Sequence, residues 1–98
     1  YFIIRILYMQ HVNFENSGII FQTLAKVIRT RRESLGKSQR VLADEFAFQR
    51  SLLSRLENGV NEPKLVSIWT VAEALGLRPS ELIKMVEDEL PEGFSLID

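Results

Sequence analysis

The stretch that decides the fold runs from Ser38 to Gly59 and reads SQRVLADEFAFQRSLLSRLENG. Apolar residues recur in it at helical spacing, which predicts two short helices joined by a tight corner. Ser38 is suited to cap the first helix, and Gly59 is suited to end the second. The side chains expected in the interior are Leu42, Ala43 and Phe46 of the first helix and Leu53 and Leu56 of the second.

The second helix, over about residues 50–57, carries polar side chains away from its leucines: Arg50, Ser51, Ser54 and Arg55. A guanidinium group can donate two hydrogen bonds to one guanine, whereas a serine hydroxyl is a more permissive contact. A short exposed helix with these groups has the right size and chemistry to enter the major groove of DNA. The residues alone therefore indicate a helix that reads DNA.

Three further helices are predicted around this pair, over about residues 20–35, 65–75 and 79–90. Gly36 stops the first as a left-handed cap, Gly76 closes the next, and Pro79 suits the first position of the last. The inward stripes are expected to be Phe21, Leu24, Ile28 and Leu35, and then Leu65, Ile68, Val71, Ala72 and Leu75. The sequence thus predicts a compact all-α domain of five helices.

The predicted domain occupies residues 19–90, between two short segments of different composition. Residues 1–18 are expected to form an N-terminal arm, with loop over the polar residues 9–18. Residues 1–8 are β-branched and aromatic, so they are either a short strand or an extension that precedes a true start at Met9. Residues 91–98 are expected to be an acidic C-terminal tail.

Charge is distributed unevenly along the 98 residues, although their net charge is only −1. Six basic residues and one acidic residue give residues 26–40 a charge of +5, and six acidic and one basic give residues 81–98 a charge of −5. Local charge near the phosphates governs nucleic-acid binding, so a net negative chain is compatible with a DNA ligand. Both runs also fit ordinary solvated helix faces.

Metal and enzyme chemistry have no support in the residue types. The chain has no cysteine and a single histidine, His11, which excludes disulfides and thiolate or His-rich metal sites. No glycine-rich phosphate loop or Ser/His/Asp arrangement occurs, and the acidic run at residues 87–89 fits solvated surface better than a cation site. We therefore expect no enzymatic activity and no cofactor. No apolar run approaches the roughly 18 residues of a membrane span, and we expect a cytoplasmic protein.

The helical core resembles the lambda-repressor/Cro-type, or XRE-like, helix-turn-helix regulators over about residues 24–82. The matching positions are Ile28-Arg29, Arg32, Ser38-Gln39, Leu42-Ala43, Ser54, Leu56-Glu57, Gly59, Pro63, Ala72 and Ala74-Leu75-Gly76. The resemblance implies a lambda-repressor-like fold that binds double-stranded DNA in a sequence-specific way, inside a bacterial or phage-infected cell. It also implies a transcriptional repressor that binds a short palindromic operator as a dimer.

The same resemblance implies roles for single residues. Gln39 would hold a phosphate and brace the recognition helix, while Arg50, Ser51 and Arg55 would read bases. Arg32 and Glu57 would form a partly buried ion pair between the first helix and the recognition helix. The remaining expected DNA contacts are Gln49, Ser54, Asn58 and Asn61.

Three positions depart from the usual residues of that family. Ala47 stands where a corner glycine is typical, and a positive φ there carries roughly 1 kcal/mol of strain. Gln49 stands where a Ser, Thr, Asn or Asp cap is typical, so it caps weakly, and its amide could instead reach a base or phosphate. Leu52 replaces a small polar residue, and packing on the fourth helix is favoured over contact with a thymine methyl group.

The last helix is apolar nearly all round, which predicts a homodimer interface of Leu82, Met85, Val86 and Leu90. A two-fold dimer suits a protein that reads two half-sites. Trp69, on the outer side of the fourth helix, is either a half-buried packing residue or a contact with a partner. The alternative function is a protein-interaction module, or an antitoxin that holds a partner protein and regulates its own operon.

Overall fold

The fold is known from a computed structural model that describes residues 14–97. Its five helices are α1 (Phe14–Ser34), α2 (Gln39–Glu45), α3 (Arg50–Asn58), α4 (Leu65–Ala74) and α5 (Pro79–Glu89). The prediction of an all-α protein with five helices is confirmed. The predicted strand over residues 1–8 and the last residue, Asp98, lie outside the described residues.

The first helix starts earlier than the sequence predicted. It begins at Phe14 rather than near Ile20, so residues 14–18 are helical and not loop. Their polar composition and Gly18 give little local preference for a helix, but tertiary contacts can stabilise one. Asn16 supplies such a contact, because its Nδ2 donates to the backbone oxygen of Ser95 at 3.1 Å. The helix therefore crosses the domain boundary predicted at residue 18.

Local signals fix the other helix ends as predicted. The hydroxyl of Ser38 accepts a hydrogen bond from the Val41 N–H at 3.1 Å and caps α2. Gly36 and Gly59 follow α1 and α3 with φ values of 70° and 66°, a conformation that favours glycine. Ala47, in the corner between α2 and α3, has a φ of 56°, so the strain expected there is present.

All five helices contribute side chains to one core, and α1 packs against both α3 and α5. The buried cluster consists of Leu24, Val27 and Ile28 of α1, Leu42 of α2, Leu53 and Leu56 of α3, Val71, Ala72 and Ala74 of α4 with Leu75 just after it, and Leu82 and Val86 of α5. Leu52 packs against this cluster, as predicted. The core thus holds α3 by one side only.

Three residues predicted in the interior are exposed. They are Phe46, Leu35 and Leu65, with exposed fractions of 47%, 39% and 68%. Each lies at the end of a helix, where the chain turns away from the core and the helical spacing no longer predicts the direction of the side chain. The ring of Phe46 instead packs near Lys37, whose Nζ lies 5.8 Å from the ring centroid.

Two residues of the predicted dimer interface belong to the core of the domain itself. Leu82 and Val86 are 0% and 4% exposed, because α5 turns this pair, four residues apart, inward. They offer no surface to a second chain, so their assignment to the interface was wrong. Met85 is 36% exposed and Leu90 is partly buried.

Candidate nucleic-acid interface

The exposed side of α3 is a continuous polar face. Arg50, Ser51, Ser54, Arg55 and Asn58 are all exposed, whereas the opposite side of the helix is buried. Positions 50, 54 and 58 stack along one line of the helix, and positions 51 and 55 flank it. Nine residues span about 13 Å, close to the width of the major groove, about 12 Å. The helix can therefore present every one of these side chains to a single groove.

The start of α3 has no side-chain cap. Gln49 occupies the cap position, but its side chain makes no hydrogen bond to the N–H groups of the first turn. Its Oε1 instead faces the hydroxyl of Ser51, with 3.4 Å between the two oxygens. The N–H groups of a helix start carry partial positive charge and favour anions. This end of α3 is thus suited to lie near a phosphate.

A buried carboxylate fixes the position of α3 against α1. Arg32 donates from Nε and Nη2 to the two oxygens of Glu57 at 2.7 and 2.8 Å, which is the ion pair that the sequence predicted. The side chain of Glu57 is 2% exposed and that of Arg32 is 12% exposed. Arg29, which sequence reasoning did not single out, donates to the backbone oxygen of Glu57 at 2.8 Å.

The same carboxylate links α3 to the start of α2. Burial raises the pKa of Glu57, but hydrogen bonds from Arg32 and Gln39, with the charges of Arg32 and Arg29, outweigh it. The pKa of Glu57 therefore lies below its ordinary value. Its hydrogen bonds to Glu57 raise the pKa of Arg32, so both groups stay charged at neutral pH. Gln39 thus contacts the residue that anchors α3.

An open groove of about 260 Å³ lies between the end of α3 and the start of α4. Arg55 lines it from α3, Asn61 from the loop, and Lys64 and Ser67 from the region where α4 begins. Glu62 adds one negative charge. The structure thus brings together Arg55 and Asn61, two predicted DNA contacts. It adds Lys64, whose position just before a predicted helix start was the signal available in the sequence.

The basic run of residues 26–40 is largely engaged inside the fold. Arg31 donates to the backbone oxygen of Leu75 at 3.1 Å, and the other partners are Glu89 for Lys26, Glu57 for Arg29 and Arg32, and Glu45 for Lys37. The run is therefore neither the DNA-facing charge nor a plain solvated face. The positive charge near the polar face of α3 comes from Arg50, Arg55 and Lys64.

Other kinds of site are not found in the described part of the chain. Residues 14–97 contain no group of three or more His, Cys, Asp or Glu that could hold a metal ion. None of the helices among these residues is both long enough and apolar enough to cross a membrane.

Comparison with known proteins agrees with this geometry. The model of a helix-turn-helix family, HTH_3, matches residues 28–82. That span includes the whole of α2, α3 and α4. No curated protein sequence matches the chain.

Three solved structures share the fold. The clp gene regulator ClgR from C. glutamicum has 23% identity and a TM-score of 0.63, with 74% of this chain and 95% of that chain covered. A mutant of the restriction-modification controller protein C.Esp1396I has 19% identity and a TM-score of 0.64, with 76% and 95% covered. An HTH_3 family transcriptional regulator from Vibrio cholerae has 20% identity and a TM-score of 0.63, with 82% and 45% covered.

Proposed function

Since the chain belongs to the HTH_3, or XRE-type, family of helix-turn-helix DNA-binding transcription regulators, we propose that it represses transcription by binding a short palindromic operator as a homodimer. The observation that carries this proposal is the exposed polar face of α3, held in place by a buried carboxylate. Repression follows if the bound protein blocks access to the promoter. We place this activity in the cytoplasm.

Arg50 and Arg55 are the base-reading residues in this proposal. Both are exposed, and among the described residues neither is engaged in an ion pair. Nε of Arg55 donates only to the backbone oxygen of Ser51, at 3.3 Å, so its terminal nitrogens are available. Each guanidinium can donate to O6 and N7 of a guanine, while Ser51 and Ser54 make permissive contacts.

Phosphate contacts in the proposal surround this base-reading face. Gln39 supports both of its roles, because an amide has two N–H donors and the bond to Glu57 uses one. The second donor can bind a phosphate without releasing α3. The other proposed phosphate or sugar contacts are Gln49, Asn58 and Asn61 with the added Lys64.

Two copies are proposed because one helix face reads only a few base pairs. A two-fold dimer doubles the contacts and makes the operator palindromic, with half-sites roughly 34–36 Å apart. Each half-site alone would offer too few contacts for a biologically useful preference over the rest of a genome.

Selection of bound duplexes from a random pool tests this function. We expect enrichment of one sequence with two-fold symmetry and half-site centres about 10 base pairs apart. Footprinting of the winning duplex should protect both half-sites on the same face of the DNA. A pool that yields no preferred sequence at moderate salt would contradict the proposed function.

A further inference from the structure

Trp69 is the only tryptophan of the chain, and it is 52% exposed. It lies on α4, on the side away from the buried Val71 and Ala72. Tryptophan is among the residues most enriched at the energetic centres of protein interfaces. Its surroundings decide whether it belongs to such a centre.

A continuous groove connects Trp69 with α5. One open cavity of about 810 Å³ is lined by Trp69, Leu77 and Glu81 among others, and it adjoins a second of about 480 Å³. Leu77 and Glu81 line both cavities, and Met85 lines the second. The groove therefore has an apolar floor of Trp69, Leu77 and Met85, which reaches over two helices.

The charges around this floor balance one another. Glu73 and Glu81 oppose Arg78 and Lys84, so the groove favours neither a strongly acidic nor a strongly basic partner. Among the described residues, Glu73 and Arg78 have no ion-pair partner. In a two-fold interface each residue meets its counterpart's neighbour reciprocally. Arg78 of one copy can then meet Glu73 of the other, and the same pair forms twice.

The position of the groove also fits two recognition helices on one DNA face. The helix α4 lies beside α3, and the groove is on the outer side of α4. Packed helices lie about 8–10 Å apart, so α3, α4 and their two-fold copies in series span about 24–30 Å. Indole rings between the two α4 helices widen this distance toward the roughly 34 Å of one DNA turn.

We propose that a second copy of this chain docks on the face formed by Trp69, Glu73, Leu77, Arg78, Glu81 and Met85, here called the Trp69 face. The proposal rests on the homodimer of the proposed function and replaces the interface that the burial of Leu82 and Val86 removes. Each Trp69 is buried by the opposite copy.

The fluorescence of Trp69 tests this directly, because no other tryptophan contributes. Emission should shift to shorter wavelength as the protein concentration rises through the dimer dissociation constant, in step with the mass measured by sedimentation equilibrium. Met85→Lys should raise that dissociation constant at least about 30-fold, the size of an interface hot spot. Trp69→Ala, followed by sedimentation alone, should do the same.

Ile83→Lys is the matched control. Ile83 is 47% exposed on the same helix as Met85, but it lines neither cavity of the Trp69 face. This variant should dimerise like the parent, and far-UV circular dichroism should show that all variants keep their helices. The proposal is overturned if Ile83→Lys weakens the dimer as much as Met85→Lys, or if the parent stays monomeric at high micromolar concentration.

The two proposals fail in different ways. A dimer that is split by Met85→Lys but selects no DNA sequence supports the Trp69 face and contradicts the operator. A monomer that selects a DNA sequence supports DNA reading by α3 and overturns the Trp69 face.

Discussion

Glu57→Gln is the substitution that tests most sharply how the recognition helix is held. The change keeps the size and shape of the side chain but removes its charge. The carboxylate accepts hydrogen bonds from Arg32 at 2.7 and 2.8 Å, and its side chain is 2% exposed. A glutamine offers one oxygen to Arg32 and turns an NH₂ group toward a second donor. Arg32, itself 12% exposed, then keeps a charge without a counter-charge.

The expected cost follows from those contacts. A hydrogen bond to a charged group contributes about 1.5–3 kcal/mol, and removing one partner of a buried ion pair costs about 3–5 kcal/mol. We therefore expect Glu57→Gln to lower the free energy of unfolding by about 3–5 kcal/mol. Since small domains are stable by about 5–15 kcal/mol in total, the variant should be close to unfolding.

Urea unfolding followed by circular dichroism measures this cost. Glu45→Gln is the matched control, because Glu45 pairs with Lys37 at 2.7 Å but its side chain is 45% exposed. Exposed pairs contribute about 0–1 kcal/mol, so this variant should unfold nearly like the parent. A Glu57→Gln protein that loses less than about 1 kcal/mol would show that the carboxylate does not anchor α3.

Three further predictions concern stability. The pKa of Glu57 is lowered in the fold, so its contribution is complete above the unfolded value of about 4.3 and is lost at lower pH; unfolding at a series of pH values should show this fall in the parent and a smaller fall in Glu57→Gln. Gly59→Ala should cost roughly 2–4 kcal/mol, since the new Cβ would lie 3.1 Å from the Cβ of Ala25, whereas Gly36→Ala meets no atom within 4 Å and should cost about 1 kcal/mol in the same assay. Ala47→Gly should raise the melting temperature, because relief of roughly 1–2 kcal/mol of strain exceeds the added chain entropy of about 0.4–1 kcal/mol; a lower melting temperature would refute the strain.

The helix-turn-helix itself was predictable because its signals are local. Ser38, Gly59 and Pro79 mark helix ends through their own backbone chemistry, and the apolar spacing places Leu53 and Leu56 inward. The polar face of α3 follows from the same spacing. These features need no knowledge of distant parts of the chain.

The failures all depend on contacts between distant residues. The bond from Asn16 to Ser95 joins residues 79 positions apart, and no local pattern predicts that it extends α1. The inward turn of Leu82 and Val86 depends on where α5 packs, which an apolar helix does not reveal. The partner of Arg31 is a backbone oxygen 44 residues away, so its charge looked free in the sequence.

The central claim is that α3 reads DNA sequence through Arg50 and Arg55. The direct measurement is the ratio of dissociation constants for a shuffled duplex and for the selected duplex, at one salt concentration, in the parent and in Arg55→Ala. We predict a ratio of at least about 10³ for the parent and a loss of about 5–150-fold in the variant, equivalent to about 1–3 kcal/mol. Lys84→Ala, an exposed change on α5, should keep the parent's ratio. An unchanged ratio in Arg55→Ala and Arg50→Ala would contradict the assignment of α3 as the reading helix.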